Sequence, residues 1–161
     1  MKGEVDSPFL LYFSFLMSEF SLSKNDRLCS RKAIGELFAD GESFFVFPLK
    51  VVYRELSFED GRPVKAAFSV SKRNFKRAVK RNYLKRLMRE TYRLNKSELL
   101  RISVEKNVQL AIMFIYAGKE LKDYAVVEKG MVKCLEKLCS ILASKEVSAD
   151  NKTSITFENK K

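Results

Sequence analysis

The chain has 161 residues, 46% of them apolar, which suits one domain with a real core and excludes wholesale disorder. Its 31 Lys and Arg against 20 Asp and Glu give a net charge of +11, an excess whose natural partner is a polyanion. Histidine is absent, which removes every Ser-His-Asp or Cys-His triad, every His metal ligand and any His general base.

Residues 1–19 read as an N-terminal extension. Its apolar stretch, Phe9 to Met17, is about nine residues, where a membrane-spanning helix needs roughly 20. Only Lys2 precedes it, Glu4 and Asp6 offset that charge, and no A-x-A-like cleavage site follows, so it makes a poor signal peptide. Met17 reads as an alternative translation start, with patterned sequence resuming at Phe20.

The domain proper is expected over residues 20–143. After an extended lead-in from Phe20 to Lys24, a short helix is predicted from Arg31 to Asp40, with Ala33, Ile34, Leu37 and Phe38 on one face, Ser30 as its cap and Gly41 as its end. Phe44 to Leu56, rich in Phe, Val and Tyr, predicts a strand in which Pro48 marks an edge or a bulge. A turn at Glu59-Asp60-Gly61-Arg62-Pro63 leads to a second strand, Val64 to Ser71, and the pair is predicted as an antiparallel hairpin. A long basic helix follows from about Phe75 to Leu94; the stretch from Arg101 to Asn107 reads as a further helical turn or a loop.

Val108 to Tyr116 is almost wholly apolar, as a central strand buried on both faces would be, and Gly118 breaks it. Asp123 is placed to cap a last helix whose Val127, Met131, Cys134, Leu138, Ile141 and Leu142 recur at helical spacing. Cys134 and Cys139 are thereby core and near-core residues; with Cys29 they make three cysteines without C-x-x-C spacing, which suggests neither a disulfide framework nor a zinc site and fits a reducing compartment. Residues 144–161 turn to Ser, Asn, Asp, Lys and Thr and predict a disordered tail, whose Asn151-Lys152-Thr153 sequon has no meaning without secretion.

The basic excess is local. Residues 62–101 hold 14 basic and two acidic side chains, a net of +12, and the other 121 residues sum to −1. On a helical wheel Tyr83, Leu84, Leu87, Met88, Thr91 and Leu94 form an apolar arc, while Arg81, Asn82, Lys85, Arg86, Arg89 and Arg93 fill the opposing one. A solvated face is the plain alternative, but such faces normally intersperse Glu, and Arg81, Lys85, Arg89 and Arg93 follow at i,i+4 with no acid between them on that face. An anion would relieve that repulsion, and Arg suits phosphate because its planar fork grips it bidentately. Ser69-Val70-Ser71-Lys72-Arg73-Asn74, leading from a strand into the helix, offers a second phosphate site of hydroxyls, cations and helix N–H groups.

Ser69-Val-Ser-Lys-Arg, four residues, then Ala78-Val-Lys-Arg-Asn-Tyr-Leu-Lys-Arg-Leu-Met-Arg-Glu-Thr-Tyr-Arg93 closely resembles the signature of the protein subunit of bacterial ribonuclease P. The resemblance covers about residues 20–142, with two departures: Tyr83 stands where the family commonly has Arg, and the Gly often found between strand and helix is replaced within Asn74-Phe75-Lys76-Arg77. It implies a single compact α+β domain, an α-β-β-α-β-α sandwich of ribosomal-protein type with a left-handed β-α-β crossover, against the usual right-handed rule. It also implies a ribonucleoprotein partner, the catalytic RNA, in a holoenzyme that removes the 5′ leader of precursor tRNA with Mg²⁺, the chemistry being carried by the RNA. The chain itself then has no catalytic or metal-binding residue and no obligate protein or membrane partner, and works in the cytoplasm. By position, Lys72, Arg73, Arg81, Asn82, Lys85, Arg86 and Arg89 are the implied RNA contacts, and Arg77 and Arg93 extend the set. A cleft between the first helix and the sheet is implied to hold the leader, lined by Ile34, Phe38 and a strand residue at Val52 or Tyr53; family members often carry an aromatic where Ile34 stands.

Two other classes bear comparison. A non-catalytic RNA-binding module of ribosomal type would use the same stripe; a helix-turn-helix reader would not, since this basic helix follows a strand. A self-sufficient metal nuclease needs several carboxylates converging within about 4 Å of two cations, and the acids here are scattered.

Overall fold

A computed structural model of the chain describes residues 22–158, with side chains described through residue 145. The N-terminal extension, its apolar stretch and Met17 lie outside the described residues.

A single 3-10 turn at Lys24–Asp26 precedes α1, Arg31–Asp40. Ser30 caps α1 as predicted, its hydroxyl accepting from the Ala33 N–H at 3.3 Å. Gly41 ends it by donating to the Leu37 carbonyl, and a Cβ at that position would run into the same carbonyl oxygen and press on Val52.

The predicted first strand is two strands, β1 (Glu42–Val46) and β2 (Leu49–Glu55), folded back on each other. Pro48 explains the break, because it has no N–H to give to a ladder; with Phe47 it forms the reversal. β3 spans Val64–Val70, the basic helix α2 Ala78–Asn95, and α3 Ser97–Glu105, so the stretch from Arg101 is helical as far as Glu105. β4, Leu110–Tyr116, is followed by α4, Tyr124–Glu158. Asp123 caps α4 through its Oδ1, which accepts from Val126 N–H at 3.3 Å. The helix runs past residue 144, where composition predicts a disordered tail; no Gly or Pro occurs from there to Glu158 to stop it.

The sheet order is β1-β2-β4-β3, with β1/β2 and β2/β4 antiparallel and β3/β4 parallel. The predicted hairpin of the second and third strands is therefore wrong: β2 and β3 do not pair, because β4 lies between them. Chain reversal at Gly61 only aims β3 back along β2. β4, apolar on both faces, occupies the central slot, and the connection brackets it, Leu56 N–H donating to the Gln109 carbonyl and Leu110 N–H to that of Pro63.

Strand alternation divides the core in two. Leu49, Val51, Tyr53, Val64, Ala66, Val70, Leu110, Ile112, Phe114 and Tyr116 face α2, α3 and α4, which contribute Leu84, Met88, Tyr92, Leu99, Val127, Met131, Cys134 and Leu138. Val52, Ala111 and Met113 face the other way, against Leu28 and Leu37 of the α1 side. The result is one α+β domain with three helices on one face of a four-stranded sheet and one on the other.

Candidate nucleic-acid interface

The loop between β3 and α2 is held from below and from the side. Phe75 is buried, its ring 5.8 Å from that of Tyr116, and its N–H donates to the Ser71 carbonyl. The Ser71 hydroxyl accepts from Arg73 N–H at 3.1 Å. Arg81, one turn into α2, reaches back and donates from Nη1 to the carbonyls of Phe75 at 2.8 Å and Lys76 at 2.7 Å. The guanidinium thus ties the loop to the helix, and Lys72, Arg73 and Arg77 stand exposed on the loop it fixes.

Along α2, Asn82, Arg86 and Arg89 are exposed and Lys85 half-buried. Among the described residues Lys72, Arg73, Arg77, Lys85, Arg86 and Arg89 make no ion pair, so their charge is available to an external anion. Arg93 differs: Nε and Nη2 grip both oxygens of Glu90 at 3.2 and 2.6 Å, and that bond holds the Glu90 carboxyl below the usual range. The expectation of a stripe without an acid is corrected at this end, since Glu90, i−3 from Arg93, bends onto it. The apolar arc is also rotated: Leu84, Met88 and Thr91 are buried as predicted, but Tyr92 is buried with them, while Tyr83 is 46% and Leu94 39% exposed.

Sequence counting missed a partner for the loop. A depression of about 460 Å³ beside the start of α2 is lined by Lys76, Arg77 and Lys80 together with Lys119, Glu120 and Leu121 of the segment after β4. Lys119 is some way along the chain from the basic segment, and only the fold brings it there.

On the opposite face, the expected cleft residues separate. Leu37, fully buried, is the residue that fixes α1 to the sheet, with Ile34 half-buried beside it and Phe38 54% exposed. Val52 points to α1 and is buried as a floor beneath it. Tyr53 does not belong to this face. One residue along a strand reverses the side chain, so Tyr53 packs in the larger core, 5.9 Å from the Phe44 ring, and donates its hydroxyl to Glu42 Oε2 at 2.6 Å. Burial, reinforced by that carboxylate, pushes its pKa up. Arg54, on the α1 side, anchors the helix by donating to the Glu36 carbonyl and the Asp40 carboxylate, both at 3.2 Å.

Among the described residues no three or more Cys, Asp or Glu side chains converge as a metal site, and no helix is long and apolar enough to cross a membrane. All three cysteines are free.

Known proteins share both sequence and fold. Residues 22–139 match the family model described as Ribonuclease P. The chain is 42% identical over 125 residues to the ribonuclease P protein component of Porphyromonas gingivalis, covering 78% of this chain and 91% of that protein. It is 30% identical over 128 residues to that of Chlorobium phaeobacteroides, covering 73% and 88%. The solved structure of the RNase P protein from Thermotoga maritima superposes with a TM-score of 0.55 at 23% identity, covering 69% of this chain and 96% of that one.

Proposed function

Since the chain belongs to the ribonuclease P protein family, the RNA-binding component of the enzyme that processes tRNA precursors, we propose that its two exposed surfaces divide the RNA between them. The β3–α2 loop and the α2 stripe grip the ribonuclease P RNA, through Lys72, Arg73, Arg77, Lys85, Arg86 and Arg89 as phosphate contacts and Asn82 as an amide that can both donate and accept. The α1 face, with Phe38 exposed one helical turn from Ile34, which packs against the small core that holds Val52, takes the single-stranded 5′ leader of precursor tRNA. The observation that carries this reading is the row Lys72, Arg73, Arg77, Lys85, Arg86 and Arg89 on α2 and its loop, which make no ion pair among the described residues and lie on the far side of the sheet from α1.

Hydrolysis of the leader bond belongs to the RNA and its Mg²⁺ on this reading. The protein's donor set does not fit a metal site among the described residues, and its part is to bind, orient and neutralise. On the same reading the protein works in the cytoplasm, where its precursor substrate would be met.

The test is reconstitution. Protein alone should leave precursor tRNA uncut with Mg²⁺ present, and protein with ribonuclease P RNA should raise kcat/KM over the RNA alone. In the same holoenzyme Phe38→Ala should weaken precursor binding about 5- to 100-fold, from one lost stacking contact of ~1–3 kcal/mol, and leave mature tRNA binding unchanged. Cleavage by the protein without RNA, or a protein that does not alter the RNA's kcat/KM, refutes the assignment.

A further inference from the structure

The ladder register places a second aromatic and a cation on the α1 side of the sheet, beyond the ground α1 covers. Phe45 on β1 is directly opposite Lys50 on β2, Lys50 is opposite Ile115 on β4, and Ile115 is opposite Ser69 on β3. This row crosses all four strands, roughly 14 Å at the usual strand spacing. It lies two residues along β2 from Val52, a step of about 7 Å, and so shares the Val52 face. α1 packs over β2 and β4, where Leu37 shares the small core with Val52, Ala111 and Met113, and Ile115 is only partly buried at its edge. Phe45 is left 57% exposed and Lys50 exposed, with Ile115 and Ser69 half-buried.

We propose that the Phe45–Lys50 pair is a nucleotide subsite for the leader, the Phe45 ring stacking on a base and the Lys50 ammonium meeting the adjoining phosphate. It deepens the leader assignment made for the α1 face and rests on it. Three observations favour RNA as the occupant. A flat ring beside a cation is the pairing that single-stranded nucleic acid uses. The row lies about 7 Å along β2 from Val52, close to one nucleotide step. Its far end, Ser69, lies three residues before Lys72, so a strand laid along the row reaches the basic loop that holds the ribonuclease P RNA. Aromatic surface is also supplied here by an edge strand, in a chain whose α1 carries Ile34 and whose β2 carries Val52 at the other positions of that face.

The experiment uses the full chain reconstituted with its RNA and measures the affinity for precursor tRNA and for mature tRNA, with melting temperature recorded for each variant. Phe45→Ala should lower precursor affinity about tenfold, within the ~5- to 100-fold expected of one stacking contact, and leave mature tRNA affinity and melting temperature unchanged. Phe45→Tyr should restore binding. Lys50→Ala should reduce the salt slope of precursor binding by about 0.7, one single-strand phosphate, without changing that of mature tRNA. If Phe38→Ala discriminates precursor from mature tRNA and Phe45→Ala does not, the subsite is overturned and the leader face stands. If Phe45→Ala discriminates and Phe38→Ala does not, the row holds the leader and the α1 part of the assignment falls. A drop in melting temperature on Phe45→Ala would show the ring packed against another part of this chain, which also overturns the subsite.

Discussion

Arg81 and Arg89 are both arginines of the α2 stripe, eight residues apart, and their removal should have opposite signatures. Arg81 spends Nη1 on the carbonyls of Phe75 and Lys76 at 2.8 and 2.7 Å, whereas Arg89 is exposed and makes no ion pair among the described residues. Hydrogen bonds from a charged donor contribute about 1.5–3 kcal/mol each when well formed, and two sharing one nitrogen on a half-exposed side chain should together be worth roughly 1–2 kcal/mol. Arg81→Ala should therefore lower the melting temperature by about 2–8 °C for a chain of this size. If the loose loop must be reordered on binding, the same loss appears as a roughly 5- to 30-fold weaker complex with ribonuclease P RNA. The phosphate count on the loop and stripe is otherwise kept, so the slope of log K against log salt should stay close to that of the unaltered protein. Arg89→Ala should do the reverse: no change in melting, and a slope shallower by about 0.7–0.9, one phosphate's worth. Thermal melts and RNA titrations at four or five salt concentrations decide it. An Arg81→Ala protein that melts normally and flattens the slope as Arg89→Ala does would refute the positioning role.

Two further outcomes follow from burial. Leu37→Ala should destabilise the protein by about 2–5 kcal/mol in urea unfolding, because its fully buried side chain closes the small core with Leu28, Val52, Ala111 and Met113; a loss under about 1 kcal/mol would mean that α1 is not fixed by that contact. Burial pushes the Cys134 thiol up to about 12, so in the native protein at neutral pH a thiol reagent should label Cys29 first, Cys139 slowly and Cys134 only on unfolding. The same shift sets a pH dependence. Above about pH 9 the unfolded chain ionises this thiol and the native chain keeps it neutral, so Cys134 makes stability fall as pH rises towards 12, a fall that Cys134→Ala should remove.

The ends of α1 and the start of α4 were legible because their signals are local, whereas α3 and the run of α4 past residue 144 were not. Ser30, Gly41 and Asp123 sit at helix ends and act there, and the period of Val127, Met131, Cys134 and Leu138 is the period of burial in α4. Strand pairing was not, because turn chemistry encodes only a reversal of direction. Glu59 to Pro63 reverses the chain whether β3 lies next to β2 or one strand away. The clue to the true order is in β4 itself: a strand apolar on both faces needs a layer over each, as a strand in the middle of a covered sheet has, and the slot between β2 and β3 is such a place. Pro48 likewise carried the right signal, a residue unfit for a ladder interior, and its consequence was a full reversal into β1 and β2 in place of a bulge.

The site shows the same limit one level down. Charge density located the exposed cationic face, since exposed cations need no partner to be counted, but it could not separate Arg89 from Arg81 or Arg93, whose guanidinium groups are engaged by loop carbonyls and by Glu90. On the other face a single-residue offset decides everything, because the side-chain period of a strand is 2. Val52 lies under α1, Tyr53 in the opposite core with its hydroxyl on Glu42, and a strand aromatic that does share the Val52 face is Phe45, seven residues before Val52 across the β1–β2 turn. Only the register Phe45↔Lys50 brings those two together. The aromatic content of the α1 side of the sheet is thus a property of pairing between strands, and cannot be judged from α1 and β2 alone.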